Sequence, residues 1–252
     1  MNGIIRCSCC GNFGRFGNSL FQFCMAKSYA EKYNCILEVP QEWVGRKIFN
    51  ISEPYISSIP LKKTQLDKIP WGAINIDLFG YFQFEEALRF MSLAKIRSWL
   101  KFQDRWTNIF AKKESYTACH IRRGDFVDTY SHVYCIIKER SYVKALEKFN
   151  LNQDNIVWVK ENKPMNRKET DVEGVPFLPD FMTLCNSDIM LRANSTFSLW
   201  AGILANNKVY SPIVDGLSGE KDVEFVEGNY PKIVGVGNWG SVTKPCNFVF
   251  GE

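Results

Sequence analysis

The chain holds only two histidines, His120 and His132, and that scarcity excludes a multi-histidine metal centre. It has no Asp-x-Asp pair to grip a metal–diphosphate complex, no Gly-Lys-Ser/Thr phosphate loop and no nucleophile elbow. Long apolar runs are missing as well. None approaches the ~18–20 residues of a membrane span, which leaves room for peripheral membrane contact at most. An excess of one charge is also absent: 31 Lys and Arg against 27 Asp and Glu give a net charge of +4. Nucleic-acid binding would call for basic blocks, and here the cations come singly or in short pairs, of which Arg122-Arg123 is the one pair of arginines. One tight arginine pair on a mildly positive chain suits a small anionic ligand.

What is present fits a folded α/β protein. With 252 residues, 46% hydrophobic and 23% charged, the chain can build one large α/β domain or two smaller ones. Its 14% aromatics, seven Trp among them, serve first as core, although the walls of a sugar-handling cleft also use them. The nine cysteines (Cys7, Cys9, Cys10, Cys24, Cys35, Cys119, Cys135, Cys185 and Cys246) are odd in number, and no secretory signal precedes them. They read as reduced thiols of a cytoplasmic protein. Cys7-x-Cys9-Cys10 has no second Cys or His pair at zinc-finger spacing.

The periodicity predicts a strand over Ile4–Cys10, a glycine-punctuated loop, a helix over Asn18–Tyr33 and a strand over Cys35–Val39 stopped by Pro40. Further along it predicts a strand at Leu78–Phe82 and a helix at Glu85–Leu100. The second half alternates again. Strands are expected at Tyr116–Arg122, Ile156–Val159, Val175–Leu178, Asp188–Arg192 and Lys208–Ser211, and helices at Ser141–Phe149, Phe181–Asn186 and Phe197–Ala205. A charged break at Lys112–Ser115 divides the chain into domains 1–112 and 113–252.

Three segments carry chemistry. Cys119-His120-Ile121-Arg122-Arg123-Gly124-Asp125 ends a strand, where open parallel sheets bind their ligands. Alternation puts His120 and Arg122 on one face and Arg123 on the other. Guanidiniums there can fork onto phosphate oxygens, and Gly124 lets the chain turn sharply. Judged alone, a surface arginine pair bridged to Asp125 fits as well. Asn194-Ser195-Thr196-Phe197 is a helix start, whose amides and dipole form an anion site or simply a cap. Gly11-Asn12-Phe13-Gly14-Arg15-Phe16-Gly17-Asn18 is a tight strand-to-helix turn that presents an Arg and an Asn.

Taken together these segments resemble a family. His120-Ile121-Arg122-Arg123-Gly124-Asp125 is similar to the HxRRGD motif of the α-1,2-fucosyltransferases, and Asn194–Trp200 resembles their NSTFSWW segment. Gly80-Tyr81-Phe82-Gln83 resembles their GYFQ stretch, and Gly17–Gln22 their GNQxFQ opening. Gly14–Asn18 is also similar to the GRFGN of protein O-fucosyltransferases. The chain departs from the pattern at Leu199, which replaces a Trp, and at Trp158-Val159-Lys160-Glu161-Asn162, where the family often has an Asp-Asp pair.

The resemblance implies a GT-B-like pair of Rossmann-like domains facing a central cleft, the first shaping the acceptor side and the second holding GDP-fucose. It implies inverting transfer of L-fucose from GDP-β-L-fucose to a sugar hydroxyl of a glycan acceptor, with α-1,2 linkage and with no metal or cofactor. Arg122 is implied as the catalytic arginine. Donor contacts would come from His120, Arg122, Arg123, Asp180, Asn194, Ser195, Thr196 and Phe197, with Arg15 and Asn18 approaching from the opposite wall. Asp125 and Asp128 lie near the clamp, and either could take the acceptor proton; Asp125 could instead anchor Arg123. A protein O-fucosyltransferase and a nucleotide-sugar- or glycan-binding protein without turnover are the alternatives.

Overall fold

The computed structural model describes residues 3–64, 68–151, 153–160, 174–214, 217–230 and 250–251. Glu161, Asn162 and Cys246 lie outside these. The chain forms two compact units, Met1–Thr107 with Phe248–Glu252, and Asn108–Asn247. The break thus falls before the charged stretch at 112. The chain's last residues also belong with the first unit, not the second. Phe250 stacks on Phe21 with centroids 6.3 Å apart, and Gly251 bridges to Ser92.

The first unit runs β1 (Ile4–Arg6), α1 (Phe16–Lys32), β2 (Ile36–Glu38), α2 (Gly45–Ile48), β3 (Lys62–Lys63), β4 (Ile76–Asp77), α3 (Glu85–Phe90), α4 (Leu93–Trp99) and α5 (Asp104–Ile109). Its four strands pair in the order β2-β1-β4-β3, all parallel. Helix α1 is buried along most of its length by Leu20, Phe21, Phe23, Cys24, Met25 and Tyr29, so it crosses over the sheet as a core element.

Several expectations shift here. The strand expected over Ile4–Cys10 ends at Arg6, after which the chain turns. The strand expected at Leu78–Phe82 is instead the two residues Ile76–Asp77, and the next segment bends through a left-handed Phe82, φ 52°. The single helix expected over Glu85–Leu100 is broken at Met91–Ser92, where Ser92 meets Gly251.

The second unit runs β5 (Thr117–Ile121), α6 (Asp125–Asp128), β6 (Cys135–Ile137), α7 (Glu139–Lys148), β7 (Ile156–Lys160), α8 (Leu178–Asn186), β8 (Ile189–Leu191), α9 (Thr196–Leu204), β9 (Lys208–Pro212), β10 (Gly219–Lys221) and β11 (Phe225–Glu227). Five strands form one sheet in the order β11-β9-β8-β5-β7, parallel except for the β11 edge. Strands β6 and β10 pair separately. The strand expected at Val175–Leu178 is not formed, because Leu178 already opens α8, with Pro179 in its first turn.

Alternation along β5 divides the sheet's two faces. Cys119 and Ile121 pack with Tyr142, Ala145 and Leu146 of α7. The intervening His120 meets Phe197 of α9, which in turn meets Phe181 of α8. The connection leaving β5 therefore goes to one face and the connection leaving β8 to the other. Adjacent parallel strands whose connections diverge in this way open a crevice at their carboxyl ends, the topological switch point.

The described cysteines are all free thiols, and burial pushes Cys119 up to about 12. No described helix is long and apolar enough to cross a membrane.

Candidate functional site at the β5–β8 switch point

The segments leaving β5 and β8 line the crevice. His120, one residue before the end of β5, is 5% exposed. Its main-chain carbonyl accepts from the Tyr142 hydroxyl at 2.7 Å, and its ring lies 5.7 Å from Phe197. Burial, then the charges of Arg122 and Arg192, hold the imidazole down to about 3. The ring is thus neutral at any working pH. Its buried Nδ1 has no hydrogen-bond partner among the described residues, so a polar group is available to a ligand at little desolvation cost.

Arg122 forms an ion pair with Asp125 and sits 5.0 Å over the Phe126 ring. Its side chain is only 12% exposed, which favours charge–charge contacts stronger than surface ones. Asp125 thus faces Arg122 rather than anchoring Arg123. Arg123 turns to the other face, as alternation requires, and donates from Nη1 to the Arg122 carbonyl and from Nη2 to the Ile137 carbonyl, both at 3.0 Å. Those donors brace the loop. The two guanidiniums therefore do not meet on one face: Arg122 turns to Asp125 and Arg123 to the Ile137 carbonyl.

Between them and α6, Gly124 adopts φ 56° and ψ −126°, a conformation that costs an L side chain about 1–3 kcal/mol. Gly124→Ala is expected to lower stability by that amount in a denaturant melt and to reduce turnover by displacing Arg122.

From the β8 side, Asn194 is buried and donates from Nδ2 to the Cys135 carbonyl at 3.0 Å. Ser195 is the N-cap of α9, its Oγ accepting from the Phe197 amide at 3.3 Å. Thr196 opens the helix. Phe197 is a hub, its ring centroid 5.1 Å from Phe181 and 6.0 Å from Phe177. Asp180 lies in the first turn of α8, next to Phe181. Ser195→Ala should cost about 0.5–2 kcal/mol in thermal stability through loss of the cap.

Arg15 and Asn18 belong to the first unit. Arg15 is the N-cap residue of α1, and Asn18 accepts from Gln83 Nε2 at 2.9 Å.

The sequence reading missed Arg192. It comes directly after β8, is 3% exposed, and donates to Ser211 Oγ at 3.0 Å and to the Tyr230 carbonyl at 2.7 Å. Burial brings it down to about 10, and its Nη1 has no partner among the described residues. A lone cation between an apolar strand and a helix cap was the available signal. Among the described residues, no three His, Cys, Asp or Glu side chains converge to hold a metal ion.

The site thus joins cationic side chains, a neutral imidazole and the N-terminus of α9 at one switch point, an arrangement suited to an anionic, diphosphate-bearing ligand. No curated protein matches the sequence. Among solved structures, NodZ alpha-1,6-fucosyltransferase soaked with GDP-fucose is similar in fold, with a TM-score of 0.56 at 14% identity over 90% of this chain and 100% of that one. Fucosyltransferase NodZ from Bradyrhizobium gives a TM-score of 0.57 at 13% identity over 90% and 99%. The profile of Glycosyl transferase family 11 matches residues 50–223. That match spans the HxRRGD-like strand end, the α9 cap and more than half of the sequence, and the chain belongs to glycosyl transferase family 11.

Proposed function

We propose that the chain is an inverting, metal-independent fucosyltransferase that moves L-fucose from GDP-β-L-fucose to a hydroxyl of a glycan, giving an α-1,2 linkage. One observation carries this reading: partly buried Arg122, neutral His120 and the α9 N-terminus meet where the connections of β5 and β8 diverge. The family and the fold likeness to an enzyme soaked with GDP-fucose support the donor.

In this mechanism the acceptor oxygen bonds to fucose C1 as the bond from C1 to the β-phosphate oxygen breaks, and the acceptor proton leaves to a base. Negative charge grows on the departing diphosphate. Arg122 gives up part of its pairing with Asp125 to meet that charge. The Ser195–Phe197 amides add a helix dipole, and His120 offers an uncharged polar contact to the nucleotide. Buried Arg192 adds positive potential behind the crevice.

Calorimetric titration with GDP, GDP-fucose, GDP-mannose and UDP-galactose, with donor turnover followed in EDTA, tests this. GDP binding and GDP-fucose turnover that EDTA leaves unchanged are expected. Absence of GDP binding overturns the donor assignment. Turnover that EDTA abolishes and a divalent ion restores overturns the metal-free mechanism.

A further inference from the structure

Arg192 is a buried cation without an acid beside it. It uses Nε on Ser211 Oγ and Nη2 on the Tyr230 carbonyl, and it forms no ion pair among the described residues. A guanidinium stripped of water and met only by neutral acceptors is costly, and an apolar side chain of similar volume often serves stability as well. Bracing β9 needs hydrogen bonds but no charge. The charge therefore points to a second role.

Strand register shows what lies next to it. Cys119 of β5 pairs with Leu191 of β8, and Leu191 pairs with Tyr210 of β9. The Arg192 amide continues this ladder by donating to the Tyr210 carbonyl at 3.0 Å. One step past these partners, His120, Arg192 and Ser211 stand in a row across the three strands, on the face where His120 meets Phe197 of α9. All three are buried.

Two atoms of this row have no hydrogen-bond partner among the described residues, His120 Nδ1 and Arg192 Nη1. They are complementary. Nη1 carries N–H bonds, whereas Nδ1 of a neutral imidazole carries either a lone pair or a proton, according to the tautomer. A cation beside the ring favours the lone pair, because an N–H would turn its positive end toward a positive charge. One water, or one hydroxyl of a ligand, joins the two by accepting from Nη1 and donating to Nδ1. The other groups around the ring are already engaged. From α7 the Tyr142 hydroxyl goes to the His120 carbonyl, from α9 comes the Phe197 ring, and Arg122 pairs with Asp125.

We infer that Arg192 is a positioning residue that acts through His120, fixing the imidazole with its lone pair on Nδ1 and its proton on Nε2. His120 then presents a set acceptor and a set donor, and a phosphate oxygen can meet only the donor. That the ligand is a nucleotide rests on the transferase reading; the coupling of the two side chains does not.

Nitrogen NMR of the whole chain labelled with ¹⁵N-histidine reads the tautomer directly. Only His120 and exposed His132 contribute, and His132→Gln tells them apart. At pH 7 the wild type should show a pyridine-type shift at His120 Nδ1 and a pyrrole-type shift at Nε2. Arg192→Met keeps an apolar side chain in the row but removes the charge, a change that buried cations commonly tolerate. Both tautomers should then be populated, and affinity for GDP should fall about tenfold. Arg192→Lys returns a cation to the row and should restore the wild-type pattern, which a mere brace on Ser211 and Tyr230 would not explain. A wild-type ring protonated at Nδ1 overturns the proposal without any variant, and so does an Arg192→Met spectrum equal to that of the wild type. A tautomer that Arg192→Met disturbs in a protein that does not bind GDP would keep the coupling and discard the transferase reading.

Discussion

Arg122→Ala lowers fucose transfer by about 10²–10³-fold, the loss of about 2.7–4 kcal/mol that attends removal of one pre-set charge donor from a partly dry site, and leaves the fold intact. The guanidinium stands past the last residue of β5, so no ladder hydrogen bond depends on it. Its partner Asp125 is 29% exposed and regains water when the arginine is gone, which limits the loss of stability. In the resting site the Asp125 carboxylate pairs with Arg122, whereas a departing diphosphate carries more charge and outcompetes it. Arg122→Lys keeps the charge but loses the planar fork and should fall between the two. Turnover at saturating GDP-fucose, read beside the melting temperature, checks this; wild-type turnover in the alanine variant would contradict it.

His120 makes the protein acid-sensitive. Its imidazole sits at about 3 in the folded chain against an ordinary 6.5, because burial and two neighbouring arginines penalise the charged form. The unfolded chain binds this proton below about 6.5, whereas the folded chain does not until about 3. Stability is therefore at its full value above 6.5 and is lost as pH falls through that window, by about 1.4 kcal/mol per pH unit. Denaturant melts at pH 7, 6 and 5 should show this slope in the wild type and its absence in His120→Asn. Asp188, held at about 2 by Lys112 and Ser115, gives a slope of the same sign only below its ordinary 3.8, so it adds nothing between pH 7 and 5. Equal slopes in both proteins would mean that His120 is hydrated.

The sequence placed the strand ends and the helix cap better than the turns between them. His120, Arg122 and the Asn194–Phe197 cap were legible because strand alternation and capping are local rules, and β5, β8 and α9 form within about two residues of where periodicity puts them. The roles of Arg123 and Asp125 were not. Which arginine meets the carboxylate depends on the Gly124 turn and on the Ile137 carbonyl, fourteen residues away. The break at Met91–Ser92 was hidden for the same reason, since Gly251 supplies the bridge from the far end of the chain. Arg192 escaped notice because a single arginine in sequence does not announce burial. The left-handed Phe82 could not be foreseen, since local propensity argues against it and only its fully buried position holds it there.

A crystal of the protein with GDP gives the most direct answer. The diphosphate should lie over the carboxyl ends of β5 and β8, within hydrogen-bonding distance of the Arg122 guanidinium and the first turn of α9. A diphosphate bound elsewhere, with Arg122 still closed on Asp125, would contradict the account.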